Sequence, residues 1–108
     1  MLQPRSHYDL TDLPAEHAAE LGPLLQRVER AMLALDGVAR VHINRWGDGG
    51  AHFHFWLTVR PAGMLQLHGT FLPVWEELLP PVSEAERQHT HRYIATALAA
   101  ESGTAHTT

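Results

Sequence analysis

Between residues 15 and 35, apolar side chains return every three or four positions: Ala18, Leu21, Leu25, Val28, Met32 and Leu35. That period puts them on one face of an α-helix. Asp12-Leu13-Pro14-Ala15-Glu16 has the composition of a helix start, with proline tolerated in the first turn and an acid near the positive end of the dipole. Gly22-Pro23 interrupts the stripe. Pro23 has no N–H to give to the carbonyl of Ala19, so a kink or a restart is expected there. Asp36-Gly37 is expected to end the helix, glycine being favoured just beyond a C-cap.

The period then changes from helical to two. Val38 to Asn44 and Ala51 to Arg60 read as strands, with Arg45-Trp46-Gly47-Asp48-Gly49-Gly50 as the turn-rich connection. In the second segment Ala51, Phe53, Phe55, Leu57 and Val59 alternate with His52, His54, Trp56 and Thr58. In the first, Val41 and Ile43 alternate with His42 and Asn44. Paired as a hairpin, the strands make one apolar face for a core and one face that gathers Asn44, His52 and His54. Leu2 to His7 reads as the end of a strand. Met64 to His68 reads as a short strand or an extended cover, and Thr70 to Pro81 as a short helical turn. Ser83-Glu84-Ala85-Glu86 has the form of a capping box. It opens a helix expected from about Glu84 to Ala99, with Tyr93, Ile94, Ala97 and Leu98 as its buried stripe. The elements together predict an α+β fold in a single domain over residues 1–100, followed by a flexible polar tail, 101–108.

Charge and composition narrow the function. The 108 residues carry 8 basic and 12 acidic side chains, a formal net charge of −4. A nucleic-acid backbone, which needs a basic face to displace its counterions, is therefore not an expected partner. There is no cysteine, which removes disulfides, thiolate metal sites and a thiol nucleophile. No apolar run approaches the roughly 18 residues of a membrane span, and Met1-Leu2-Gln3-Pro4-Arg5 is not a signal peptide. The expectation is a cytoplasmic protein with no membrane partner.

Nine histidines stand out. His89-Thr90-His91 falls on the last helix, where two-residue spacing turns side chains about 200° apart, and reads as solvated surface. His52-Phe53-His54 falls on a strand, where the same spacing sets both imidazoles on one face roughly 6–7 Å apart. Beside an asparagine and a glycine-rich loop, two imidazoles suit phosphate: they can attack or protonate it while loop N–H groups cradle it. The same residues also fit a sheet surface partly covered by other elements. A third use, metal binding by His42, His52, His54 and His7, lacks a carboxylate on the second strand, and no metal or other cofactor is expected. Trp46 and Trp75 read as packing residues. Trp56 shares the histidine face, where it lines or plugs any pocket. Arg5, Arg45 and Arg60 can pair with phosphate, though each alone reads as a surface charge.

The stretch Gly47-Asp48-Gly49-Gly50-Ala51-His52-Phe53-His54-Phe55-Trp56 resembles the histidine triad (HIT) family. The family's His-φ-His-φ-His-φ-φ signature follows a glycine-containing loop and an asparagine on the neighbouring strand. Asn44, the glycine loop, His52 and His54 stand here in matching order. Upstream, Pro4-Arg5-Ser6-His7 is similar to the family's Pro-(Lys/Arg)-x-His strand end, and Asp9 to Glu16 to the helix start that follows it. The resemblance covers about residues 2 to 60. It implies a HIT-like antiparallel sheet, with a long helix after the first strand and a C-terminal helix. It also implies a homodimer, and a nucleotide or nucleotide conjugate as ligand.

For chemistry, the resemblance implies attack by His54 on the α-phosphate, with a nucleotidyl-imidazole intermediate that water hydrolyses. His52 then orients or polarises the site, His7 reaches the phosphate, and Asn44, Gly49 and Gly50 bind it together with Trp56. Two departures bear on this. The third triad position is Trp56, which can donate an N–H but cannot act as acid or base. The family's nucleoside pocket also draws on elements preceding the Pro-x-x-His segment, where this chain has Met1-Leu2-Gln3. A shortened member with a degenerate triad is the expectation, either a nucleotide hydrolase or transferase or a catalytically weak binding or dimerisation module.

Overall fold

The computed structural model describes residues 1–47, 52–64 and 78–107. Within them the chain forms a short 3-10 turn (Leu10–Asp12), helix α1 (Ala15–Leu33), strands β1 (Val38–Asn44) and β2 (Trp56–Pro61), and helix α2 (Glu84–Ala99). This is a small α+β fold with two helices and a two-stranded antiparallel sheet. Asn44 lies opposite Trp56, Ile43 opposite Leu57, His42 opposite Thr58, Val41 opposite Val59 and Arg40 opposite Arg60; the register then shifts at Ala39. Leu2 adds a bridge to the N-terminal side of β2, exchanging hydrogen bonds of 2.8 and 2.9 Å with Phe55.

The apolar face of the sheet sits on α1. Val41 from the sheet and Phe53 from the segment before β2, with Ala31 and Met32 from the helix, are the fully buried apolar residues among those described. Helix α1 runs unbroken through Pro23. Pro23 and Ala19 both lie on its exposed side, where water can take the carbonyl that the proline leaves unbonded. Two expectations for α1 are corrected. Ala18 is exposed rather than part of the buried stripe. The helix ends at Leu33 with Ala34 as C-cap, so Gly37, at φ +78°, serves the turn into β1 instead.

Helix α2 begins as its sequence requires. The Ser83 hydroxyl accepts from the Glu86 N–H, and the Glu86 carboxylate accepts from the Ser83 N–H. The Ser83 hydroxyl also donates to the Glu86 carboxylate at 2.8 Å, and this bond first, then the one from the Ser83 N–H, holds the Glu86 carboxyl below its usual pKa. The buried stripe expected on α2 is weaker than its spacing suggested: Ile94, Ala97 and Leu98 are half-buried, and Tyr93 is exposed. Arg27 of α1 joins the two helices. Its guanidinium donates to the Leu98 carbonyl at 2.6 Å and to the Ser102 hydroxyl at 3.1 Å, and it pairs with Glu101 at 3.2 Å. A cation thereby satisfies the carbonyl end of α2, where the dipole is negative. Glu101 and Ser102, the first residues of the expected tail, are held by these contacts.

The segments expected at 65–68 and 70–77, and Trp75 with them, lie outside the described residues. Trp46 is 47% exposed, which corrects its reading as a packing residue.

Candidate functional site

Strand β2 starts at Trp56, five residues later than the alternation predicts. His52, Phe53 and His54 therefore precede the β1–β2 ladder. Their neighbour is the N-terminal segment. The Phe53 N–H donates to the Tyr8 carbonyl at 3.0 Å, and Leu2 bridges Phe55. The alternation itself persists, so Phe53 enters the core while His52 and His54 turn to the other side, both half-buried.

Four rings form a row on that side. The centroids of His7 and His52 are 5.0 Å apart, those of His52 and His54 6.1 Å, and those of His54 and Trp56 6.3 Å. The Nε2 of His52 lies 2.9 Å from the Pro4 carbonyl oxygen. A carbonyl can only accept, so Nε2 carries the proton and donates it. In the neutral ring this leaves the Nδ1 lone pair available to a ligand. This bond is invisible to sequence reasoning, because its acceptor is a main-chain oxygen 48 residues away. His7 is exposed at the end of the row.

Asn44 stands directly across from Trp56 at the end of β1. Its Nδ2 is buried and has no hydrogen-bond partner among the described residues. Trp56 is 44% exposed, and its indole meets the His54 ring edge-on at 67°. Of the arginines considered for phosphate, Arg45 is engaged: it donates to the Asp9 carboxylate at 2.9 Å, while Asp9 also caps the 3-10 turn. That pair ties the end of β1 to the residues just after His7. Arg5 is exposed, and Arg60 is half-buried further along β2. Gly49 and Gly50 lie outside the described residues. No group of three or more histidine, cysteine, aspartate or glutamate side chains is placed to hold a metal ion among the described residues.

A cleft of about 440 Å³ lies between the N-terminal segment and α1, on the Phe53 side, and none of the four ring residues lines it. Leu2, Pro4, Tyr8, Leu21, Leu24 and Phe53 give it apolar walls, with His17 and Glu20 at its helical side. Its volume is within the range of small-molecule sites. It shares Pro4, Arg5 and Ser6 with the segment that carries His7, and the helical stripe gave no sign of it because it opens where Leu21 and Leu24 lack full cover.

Among the described residues, no helix is long and apolar enough to cross a membrane. No family model matches the chain, and neither the curated proteins nor the solved structures contain a match to it.

Proposed function

We propose that the chain is a HIT-like nucleotide phosphohydrolase or nucleotidyl transferase with His54 as the nucleophile. The observation that carries the reading is the ring row itself, with His52 locked by the Pro4 carbonyl between His7 and His54. A neutral imidazole nitrogen of His54 attacks the α-phosphorus of a nucleotide conjugate. The bond from phosphorus to the leaving group breaks, and the leaving group departs with the electron pair and gains a proton. His7, exposed to solvent at the end of the row, is suited to supply that proton. Water then attacks the phosphorus of the nucleotidyl-imidazole, releasing the mononucleotide and restoring His54. His52 orients the phosphate, and the unsatisfied Asn44 amide donates to it.

The test is release of AMP from adenosine phosphoramidate. The chain should release it and His54→Ala should not, with circular dichroism unchanged between the two. Equal release by the variant would overturn His54 as nucleophile.

Trp56 favours a second reading, a weak or inactive nucleotide-binding or dimerisation module. At 6.3 Å from His54 it occupies the place of an acid–base group and can supply none. On that reading Trp56→His tightens AMP binding, and unchanged affinity in a titration counts against Trp56 as an obstruction. Both readings include a homodimer that covers the thin apolar core. Light scattering should give about twice the chain mass of 12.1 kDa, and the monomer mass across micromolar concentrations would dismiss the dimer.

A further inference from the structure

The polar face of the sheet continues past Trp56, and there its character changes from rings to hydrogen-bond donors. His42 lies opposite Thr58 and Arg40 opposite Arg60, with Asn44 opposite Trp56 at the near end. Opposed residues on one face of an antiparallel pair bring their Cβ atoms to about 5 Å, and diagonal neighbours to about 7 Å. These side chains therefore form one contiguous stripe. Four of its polar atoms are buried without a hydrogen-bond partner among the described residues: His42 Nε2, Asn44 Nδ2, Thr58 Oγ1 and Arg60 Nε. A buried polar atom left unsatisfied keeps the full penalty of its desolvation, so four on one face are a substantial unmet demand.

The demand has a sign. Asn44 Nδ2 and Arg60 Nε can only donate, and Thr58 Oγ1 and His42 Nε2 can do so. No carboxylate occurs on this face in either strand. Arg40 and Arg60 directly oppose one another, an arrangement that repels unless an anion lies between them. Neither forms an ion pair among the described residues, while Arg27, Arg30, Arg45 and Arg87 all do. In a chain of net charge −4, a local cluster of donors and like charges is complementary to an anion.

We propose that Arg40, Arg60, Thr58 and His42 form a second anion subsite, one that takes a phosphate group distinct from the phosphate at His54. Six residues separate His54 from Arg60 along the strand, about 20 Å at the usual rise, too far for one phosphate to reach both backbone positions. Asn44, between the two, is placed to contact either. The subsite rests on the proposed reaction only for the idea that its anion belongs to the substrate, as a phosphate on the leaving group. The anion-binding property stands on the stripe alone.

Isothermal titration of the full chain with inorganic tripolyphosphate tests it. The chain should bind, with affinity that falls as salt rises. Arg60→Gln should weaken binding at least tenfold, and Arg40→Gln, at an exposed position that spares the fold, should weaken it several-fold. Arg92→Gln, on the exposed side of α2, is the control and should bind as the parent does. Absence of tripolyphosphate binding, or equal binding by the Arg40 and Arg60 variants, overturns the subsite. AMP release from adenosine phosphoramidate on the same preparations separates the two proposals. Release without tripolyphosphate binding keeps the reacting site and removes the subsite. Arg60-dependent binding without release keeps the subsite and removes the hydrolase.

Discussion

The two faces of the sheet and of the segment that leads into β2 are made from alternate residues, yet they meet opposite surroundings. On one face, Val41 and Phe53 are buried together with Ala31 and Met32. On the other, His42, Asn44, Thr58 and Arg60 bring polar atoms out of water and find no partner for them among the described residues. Packing explains the first face fully, because apolar atoms removed from water need only shape to be satisfied. It does not explain the second, since buried donors need directed partners and are otherwise a cost. A fold selected for stability alone would place apolar or solvated residues there. On the proposals above, stability belongs to one face and ligand chemistry to the other, and each assignment can be broken separately.

The largest expected effect is on the packed face. Phe53 is 6% exposed, one of four fully buried apolar residues among those described. Phe53→Ala should cost about 3–5 kcal/mol, as core phenylalanine truncations do, and with so few buried residues to share the loss the cavity has little to collapse into. Urea denaturation checks it. A loss under about 1 kcal/mol would mean that the apolar face is not the stabilising one.

The middle effect lies where the faces meet the N-terminal segment. Replacing His52 by alanine removes one hydrogen bond, to the Pro4 carbonyl, and should cost about 1 kcal/mol overall. Its local consequence is larger than its global one. The amides of Phe53 and Phe55, bonded to Tyr8 and Leu2, should exchange faster with solvent as the segment loosens, while the β1–β2 amides keep their protection. Unchanged exchange at Phe53 and Phe55 would show that the segment is held without His52. The ring row would then have no structural anchor.

How much of this was legible in the chain depends on how local each cause is. Helix α2 starts and ends where its sequence indicates, because Ser83 and Glu86 settle the first turn between themselves. Strand β1 has the bounds its alternation predicts, Val38 to Asn44. Strand β2 does not. Residues 52–55 alternate just as 56–60 do, but their partner is the segment from Leu2 to Tyr8 rather than β1, and no pattern within the strand distinguishes the two. The end of α1 was misplaced for a related reason, since Gly37 is required by the positive φ of the turn into β1 and not by the helix. At the site, alternation correctly separated Phe53 from His52 and His54. The lock on His52 was hidden, because a backbone carbonyl at a proline carries no sequence signal. The opposed Arg40 and Arg60 were hidden as well, because strand register fixes that pairing and neither residue marks it alone.

The smallest expected effect sharpens the contrast most. Thr58→Val exchanges a hydroxyl for a methyl at nearly constant shape, and both residue types suit a strand. On a face whose polar groups were satisfied, the change would leave a partner unpaired and destabilise the fold by about 1–3 kcal/mol. Thr58 Oγ1 has no partner among the described residues, so its removal should leave stability unchanged or raise it by a few tenths of a kcal/mol. The same variant should bind tripolyphosphate more weakly, since a donor opposite His42 is lost. A residue whose replacement improves the fold and impairs the ligand is one held against the interest of stability. Thermal unfolding with and without tripolyphosphate reads both quantities in one experiment, because a ligand that binds only the folded state raises its unfolding temperature. A Thr58→Val chain that unfolds earlier without ligand, yet gains as much from tripolyphosphate as the parent, would return this face to an ordinary structural role.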